Sequence, residues 1–465
     1  MHQHPPAPPP HSSTLRRVFQ LAMPVLAEQL LGALVMLVDF WLTGHFLSRQ
    51  EELAAITLMA YCLWFLGGAA EFVGIGATAM VARFVGAGDR ANARRVTNQA
   101  MLLGTIWSLI VMTVALLTAP LFVRLIQLEG ETADLAERYL YLVLPALTAI
   151  MLTRIGIACL RGAGDMVVVF VVMTIVNVVN ILVSAALVTG YGIFPNLGWD
   201  GLALGTSAGY VCGAAIVIGL LIRGRDGLKL RLRELTPDRD LIRRILRISI
   251  PGGTDTVVVI GCHLWFLSLI YQLGDFAAAA HGGAIRVESL AFLPGAAFAM
   301  ASATLAGQYL GAGDPQRAGR SVMQALAIGA GIMGAAGVMF FFFGSQLVGW
   351  FLDDSQEAVA QQAGQLLQIA AFGMVPLAVT MILAGALRGA GDTRWPLLFT
   401  LIGLLAVRIP LAYLLTREDW YLFGQPEWFD YGILGAWYAM MIDIFVRCVL
   451  VAWRFLQGGW KRVVV

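Results

Sequence analysis

The feature that most constrains this chain is a succession of apolar runs, each long enough to cross a lipid bilayer. A membrane-spanning helix needs about 20 apolar residues, and charged or turn-rich breaks leave twelve such runs in the 465 residues. The composition agrees, because 59% of the residues are hydrophobic and only 13% are charged, far from the balance of a soluble domain. The sequence predicts an all-α polytopic membrane protein with spans near 18–46, 53–80, 97–123, 133–159, 167–190, 199–222, 243–272, 277–309, 319–350, 358–386, 395–416 and 431–453.

Charge, cysteine usage and motifs argue against several other classes of protein. The net charge of +2 is spread over short loops, so nucleic-acid binding is not expected. The five cysteines lie in apolar segments without CxxC spacing, which predicts neither a zinc site nor a disulfide framework. The chain lacks the GxxxxGKS or GxxxxGKT pattern of an ATP-driven pump and the HExxH and nucleophile-elbow patterns of enzymes. We therefore expect a protein without enzyme activity or cofactor.

The chain contains an internal repeat. Three segments recur about 225 to 227 residues later in the printed sequence: PVLAE at 24–28 and PGGTD at 251–255, VGAGDRANARR at 85–95 and LGAGDPQRAGR at 310–320, and LRGAGD at 160–165 and 387–392. Six spans fit in one repeat, and an even number leaves both copies facing the same way, so we expect two lobes related by an axis along the membrane normal. The predicted parts are a disordered N-terminal tail (1–14), an N-lobe (15–223), a cytoplasmic linker (224–241), a C-lobe (242–456) and a cytoplasmic tail (457–465).

The distribution of Lys and Arg predicts the orientation, because basic loops are retained on the cytoplasmic side. If the N-terminus is inside, the inner segments carry 23 Lys and Arg residues and the outer loops carry four. Both termini are therefore predicted to be cytoplasmic. The glycines of LRGAGD allow tight turns between neighbouring helices, and we interpret these motifs as turn and topology elements rather than ligand sites.

One acid and one polar helix face predict a site in the N-lobe, because ionisable side chains inside spans are costly and mark function. Asp39 lies in the outer half of the first span. The fifth span carries a polar stripe on one face, formed by Thr174, Asn177, Asn180 and Ser184. If this stripe and Thr206 of the sixth span meet Asp39, the cluster either binds Na⁺ through oxygen ligands or holds a carboxyl that takes up and releases a proton. The alternative is a stripe that only joins helices by hydrogen bonds.

Other charged residues predict a substrate pathway and one internal pair. Glu28 lies on about the same face of the first span as Asp39, roughly 16 Å away, and Asp255 has the matching place in the seventh span. His281 and Glu288, seven residues apart, share a face of the eighth span. We predict that these four side chains line the substrate pathway; the alternatives are acids satisfied near the preceding prolines and a structural histidine. Asp443 and Arg447, spaced four apart, are expected to neutralise each other.

The chain resembles the multidrug and toxic compound extrusion (MATE) family from about residue 15 to 455. The resemblance rests on segments that occur together in the right spans: D-x-x-x-x-G-H at Asp39, Gly44 and His45, VARFVGAGDRANARR, the two LRGAGD motifs, IRVESLAFLPGAAFAMASATLAGQYLGAGDPQRAG, GLALGT and GILGAW. It implies twelve helices in two six-helix lobes that form a V, and export of organic cations or drugs in exchange for Na⁺ or H⁺.

The family pattern also implies where the coupling ion binds. In the branch similar to DinF proteins, the site uses an aspartate of span 1, an asparagine and an aspartate of span 5 and a threonine of span 6, and Asp39, Asn180 and Thr206 match. The span 5 aspartate position reads Ser184, which leaves the ion and its stoichiometry open, with Asn177 as a substitute oxygen donor. In the NorM branch, acids of the C-lobe hold the ion. Asp255 and Glu288 are only approximate counterparts of those acids, so the N-lobe site is preferred.

The sequence thus predicts a monomeric antiporter of the cytoplasmic membrane that exports organic cations or amphipathic drugs in exchange for H⁺ or Na⁺. The alternative within the same superfamily is a flippase for a lipid-linked oligosaccharide or other lipid. That function calls for a strongly cationic cavity, whereas few arginines lie within the spans.

Overall fold

The computed structural model describes residues 14–47, 50–125, 130–351, 356–416, 431–463 and 465, and the predicted tail at 1–14 lies outside these ranges except for its last residue. Within them the chain forms twelve long helices and no strand. The helices are α1 (Thr14–Leu42), α2 (Gln50–Gly86), α3 (Arg90–Leu125), α4 (Gly130–Ala163, with a 3₁₀ turn at Leu144–Ala146), α5 (Met166–Thr189), α6 (Trp199–Arg223), α7 (Arg239–Gln272), α8 (Asp275–Gly311), α9 (Pro315–Gly349), α10 (Glu357–Gly389), α11 (Arg394–Thr416) and α12 (Gly432–Gln457).

Each predicted span coincides with one of these helices, and most helices extend past the predicted ends. Eleven of them are long and apolar enough to cross a membrane. The twelfth helix is α2, in which several side chains lie outside the described residues. Its described apolar stretch is the shorter segment Phe72–Gly86. Helices are expected here because lipid offers no hydrogen bonds to the backbone, so every N–H and C=O must be satisfied within its own segment.

The described chain divides into two compact units. The first contains residues 23–253, and the second contains residues 254–465 together with residues 14–22. Helices α1 and α7 therefore each begin in one unit and end in the other, and the change falls beside Pro24 in α1 and Pro251 in α7. The boundary between these two units lies inside α7, and the predicted division into two lobes and a linker stays a prediction.

The predicted linker belongs to the first unit and packs against α3. Its backbone is held by two amide side chains of α3: Asn98 Nδ2 donates to the Lys229 carbonyl at 2.8 Å, and Gln99 Nε2 donates to the carbonyls of Glu234 and Thr236 at 2.8 and 2.9 Å. Since buried amides are costly unless bonded, these contacts explain why the linker follows α3 closely.

The repeated glycine motifs form the turns that the sequence predicts. In both LRGAGD motifs the second glycine of GAG has a positive φ, 92° at Gly164 and 88° at Gly391, which only glycine adopts without strain. The following aspartate N–H then donates to the leucine carbonyl five residues earlier, at 3.1 Å from Asp165 and 2.8 Å from Asp392. This pattern ends α4 and α10 in the same way.

Candidate functional site

Close packing between α5 and α6 positions the polar stripe. Helix α6 presents Gly201, Gly205 and Gly209 to α5 at every fourth residue, and a Cβ atom at Gly205 would lie 2.8 Å from the backbone nitrogen of Ser184. Small residues let two helices approach this closely within a membrane. Asn180 and Ser184 of the stripe therefore face α6. Asn177, Asn180 and Ser184 are buried, whereas Thr174 is half-buried.

The structure brings Asn180 and Thr206 together, as the sequence predicts. Asn180 Nδ2 donates to Thr206 Oγ1 at 3.1 Å, and both side chains are buried. Three further polar atoms of the stripe are buried and have no hydrogen-bond partner in the described part of the chain: Asn177 Nδ2, Asn180 Oδ1 and Ser184 Oγ. Buried polar atoms are normally bonded, so this group of unsatisfied atoms indicates a place where an ion, a water molecule or a moving side chain binds.

Asp39 lies in the last turn of regular α1, directly before a π-helical segment at Thr43–Leu47. The Thr43 hydroxyl donates to the Asp39 carbonyl at 2.8 Å. The carboxylate oxygen Oδ1 is buried, and among the described residues no group donates a hydrogen bond to it. A charged oxygen in this position is costly unless it binds a cation or a proton. None of the unsatisfied stripe atoms bonds to this oxygen, so the predicted meeting of Asp39 with the stripe stays a prediction.

The two acids next to the prolines are both held in ion pairs. Glu28 Oε1 accepts from Arg161 NH2 at 2.6 Å, and Asp255 Oδ2 accepts from Arg388 NH2 at 2.5 Å. Each arginine belongs to an LRGAGD motif, which no sequence argument connected to the acids. Their assignment to the substrate pathway stays a prediction, since each acid keeps a second, buried oxygen without a partner in the described structure.

The structure places the predicted His281 and Glu288 on the same face of α8 but gives them different surroundings. His281 is buried, its Nδ1 accepts from Trp437 Nε1 at 3.2 Å, and its ring lies 5.8 Å from the ring of Phe266. Glu288, two turns later, is half-buried. The contacts of His281 fit the structural alternative, and its role in the pathway, like that of Glu288, stays a prediction.

The second unit contains an ion triad of Asp443, Arg447 and Arg408, of which the sequence predicted only the pair of Asp443 with Arg447. Arg447 binds Asp443 through two contacts of 2.8 and 2.7 Å, as the spacing of four residues indicates. Arg408 of α11 adds two more contacts to the same carboxylate, 3.0 Å from Nε and 2.7 Å from NH2. Two guanidinium groups thus share the Asp443 carboxylate, and the Glu288 carboxyl interacts electrostatically with Arg408. The only sequence signal for Arg408 was its unexplained charge within an apolar span.

One acid pair outside the spans has a perturbed protonation equilibrium. Partial burial, and then a hydrogen bond with Asp165, raise the pKa of Asp226 in the linker to about 6. Burial opposes ionisation of Asp165 as well, but hydrogen bonds with Asp226 and Arg225 lower its pKa. Two carboxyls this close share one proton more readily than they hold two charges. The pair lies where the α4–α5 turn meets the linker.

Comparison with known families identifies the chain. The MatE family model matches residues 24–186 and again residues 256–414, which together make up more than half of the sequence and follow the internal repeat. The chain belongs to the MATE family. Members of this family are transporters, so the expectation of a multi-pass membrane transporter rather than an enzyme is confirmed.

Relatives and solved structures support the assignment over the whole chain. A probable multidrug resistance protein NorM of Thermotoga maritima is 27% identical over 447 residues, covering 96% of this chain and 93% of the relative. A protein of the same description from Pseudomonas putida is 28% identical over 461 residues, covering 97% and 96%. The fold is similar to an outward-facing multidrug resistance MATE transporter, with a TM-score of 0.88, 20% identity and coverage of 97% and 98%. A MOP superfamily transporter from Pyrococcus furiosus gives a TM-score of 0.87, 20% identity and coverage of 97% and 98%.

These comparisons confirm the predicted fold class, a MATE fold built of transmembrane helices. They do not separate the DinF-like branch from the NorM-like branch, which stays a prediction that depends on the coupling site.

Proposed function

We propose that this MATE transporter is a secondary active multidrug efflux antiporter that exports organic cations or amphipathic drugs in exchange for H⁺ or Na⁺. Membership of the family and the names of the NorM relatives support multidrug export. The observation that carries the coupling site is the buried carboxylate oxygen of Asp39, which has no hydrogen-bond partner among the described residues. In this proposal the protein lies in the inner membrane with both termini in the cytoplasm, and it acts as a monomer.

The coupling ion binds in the N-lobe at Asp39, together with Asn180, Thr206, Asn177 and Ser184. Na⁺ prefers hard oxygen ligands, and the stripe offers the unsatisfied amide oxygen of Asn180 and the hydroxyl of Ser184. A proton would instead neutralise the carboxylate directly. Because Ser184 stands where the DinF-like pattern has an acid, the site contains one carboxylate and balances one positive charge.

Exchange follows from differential binding. An ion shifts the inward-facing and outward-facing populations only as far as it binds one state more tightly than the other. Occupation of Asp39 removes the charge from the end of α1, where regular helix gives way to the π-helical segment at Thr43–Leu47. Such segments are frequent at functional sites, and in this proposal ion binding at Asp39 changes the packing of α1 there and releases the exported cation.

The substrate enters along Glu28, Asp255, Glu288 and His281. Glu28 and Asp255 keep a negative oxygen free of the arginine that holds the other one. A cationic drug is therefore attracted weakly and released easily, as export of chemically varied compounds requires.

The test is ethidium efflux from proteoliposomes under an imposed pH gradient and, separately, an imposed Na⁺ gradient. We expect one gradient to drive efflux by the wild-type protein and Asp39→Asn to abolish the driven part while ethidium still binds. The matched control is Asp240→Asn, an acid in the first turn of α7 whose side chain is 80% exposed. Full gradient-driven efflux by Asp39→Asn would remove this residue from the mechanism.

The buried triad is the one observation that favours a lipid flippase instead. Arg408 and Arg447 outnumber Asp443, and Arg408 NH1 is buried without a hydrogen-bond partner in the described residues, so this region suits an anionic group better than a cation. Transfer of a fluorescent pyrophosphate-linked lipid between leaflets by the same vesicles, without ethidium efflux, would establish the flippase.

A further inference from the structure

The two LRGAGD motifs make the same ion pair in both halves of the chain. Arg161 binds Glu28, and Arg388 binds Asp255. The partners are 133 residues apart in both cases, and each acid lies four residues after the proline of its helix, Pro24 or Pro251. Two separate pairs with one geometry indicate a function that both lobes need.

Burial shows that these pairs serve positioning rather than stability. The acid side chains are 9% and 2% exposed at Glu28 and Asp255. The arginine side chains are more exposed, 18% at Arg161 and 36% at Arg388. Taking each acid out of water therefore costs about as much as its attraction to a partly hydrated guanidinium returns. In addition, Glu28 Oε2 and Asp255 Oδ1 are buried without a partner among the described residues. A pair optimised for stability would satisfy both oxygens through a bidentate contact.

The pairs stand where each helix changes unit. Residues 14–22 of α1 pack with the second unit, and the helix joins the first unit at residue 23; α7 changes from the first unit to the second after residue 253. A proline removes one backbone hydrogen bond and bends the helix at that point. Glu28 and Asp255 therefore lie about one turn after the proline, within the unit that the helix enters.

We propose that Arg161 and Arg388 are equivalent positioning residues, which fix the turn after each proline to its own lobe so that bending at the proline moves the rest of α1 or α7 during transport. Each LRGAGD turn supplies the fixed point, since its aspartate is tied in turn to an arginine at the end of the lobe: Asp165 to Arg225, and Asp392 to Arg454, both at 2.8 Å. This inference rests on the proposed transport function but not on Asp39 or on the identity of the coupling ion.

The proposal differs from a substrate-contact role in the kinetics it predicts. A residue that positions a moving helix changes turnover, whereas a residue that only binds the substrate changes KM. We expect Arg161→Gln and Arg388→Gln each to lower the rate of gradient-driven ethidium efflux by about tenfold or more with little change in KM, because misplaced helices have costs of this order. A raised KM with unchanged turnover, or turnover lost in only one of the two variants, would overturn the proposal.

A variant that keeps the charge of Arg161 provides the decisive comparison. Arg161→Lys preserves the pair with Glu28 and leaves that acid unchanged, so it should recover turnover to within about threefold of wild type, because coupling between paired charges is what such a comparison measures. A folded Arg161→Lys variant as slow as Arg161→Gln would contradict an anchor. If Arg161→Gln does not fold, Arg161→Lys is compared with wild type alone: near wild-type turnover supports the anchor, and lost turnover in a folded protein opposes it.

The control is Arg138→Gln. Arg138 pairs with Asp200 between α4 and α6 and is 65% exposed, and exposed pairs contribute little, so its turnover should not change. The outcomes also separate this proposal from the coupling site. Slow efflux by Arg161→Gln together with full gradient-driven efflux by Asp39→Asn would refute the coupling site alone. Normal turnover in Arg161→Gln together with lost gradient-driven efflux in Asp39→Asn would refute the anchors alone.

Discussion

The two lobes share their turns and differ in their centres. Both contain a first helix with an internal proline, an acid paired with the arginine of LRGAGD, and a helix cap formed by the aspartate that ends the other GAGD motif. The Asp89 and Asp314 carboxylates accept from the backbone N–H three residues later, at 3.0 and 2.9 Å. In the N-lobe, the polar stripe of α5 contains only uncharged groups. In the C-lobe, two arginines surround Asp443. The two lobes thus share their turn contacts, whereas the polar stripe belongs to the N-lobe and the arginine–aspartate triad to the C-lobe.

The largest effect should come from breaking the C-lobe triad. Asp443→Asn leaves two buried guanidinium groups without an acid, and removing one partner of a buried ion pair costs about 3–5 kcal/mol. Unfolding by SDS titration in mixed micelles measures this loss. Asp443→Asn with Arg408→Met and Arg447→Leu, which removes all three charges, should recover most of the stability, and failure to do so would refute the account of the triad.

The packing of α5 against α6 gives the next prediction. Gly205→Ala places a Cβ atom 2.8 Å from the backbone nitrogen of Ser184, and overpacking of this kind costs about 1–3 kcal/mol. The same titration measures it. Gly331→Ala in α9 is the matched control, because no heavy atom lies within 4 Å of the added Cβ, and equal effects at both glycines would rule out close packing as the reason for the N-lobe glycine.

Loss of the Asn180–Thr206 hydrogen bond should have a smaller effect. Thr206→Val keeps the shape but removes the acceptor, for a cost of about 0.5–1.5 kcal/mol. If Asn180 helps to bind the coupling ion, the concentration of H⁺ or Na⁺ that gives half-maximal efflux should rise. A loss of about 0.5–1.5 kcal/mol in ion binding corresponds to a rise of about twofold to tenfold. A change in stability without any shift in that concentration would make the stripe a structural contact between helices.

The smallest prediction concerns pH and the linker. The pKa of Asp226 in the folded protein is about 6, above its ordinary value of 3.8, so its charged form costs stability above pH 6 and the cost vanishes below about pH 4. Asp226→Asn should therefore be more stable than wild type at pH 7.5 by less than about 1 kcal/mol, because the side chain is partly exposed and solvent screens it. Thermal unfolding at pH 7.5, 6 and 4 should show this difference shrinking as the pH falls; a constant difference would contradict it.

Hydropathy and glycine spacing were sufficient to predict the helices and turns, because both depend on short stretches of chain. The common face of Asn177, Asn180 and Ser184 was also predictable, because residues three or four positions apart lie on the same side of a helix. The contact of Asn180 with Thr206 was predicted only on the assumption that the fifth and sixth spans pack together. The pairs of Arg161 with Glu28 and of Arg408 with Asp443 were not, because they join residues 133 and 35 positions apart, whose approach depends on tertiary packing. The place where each helix leaves one unit for the other was likewise invisible to a linker-based boundary.

The most direct test of the coupling site measures ion release from the purified protein in detergent. Ethidium added to wild-type protein should release about one proton, detected by a pH-sensitive dye, or about one Na⁺, detected with a radioactive tracer, because one carboxylate balances one charge. Asp39→Asn should release neither while still binding ethidium. Release of the same ion in the same amount by Asp39→Asn would show that coupling occurs elsewhere in the chain.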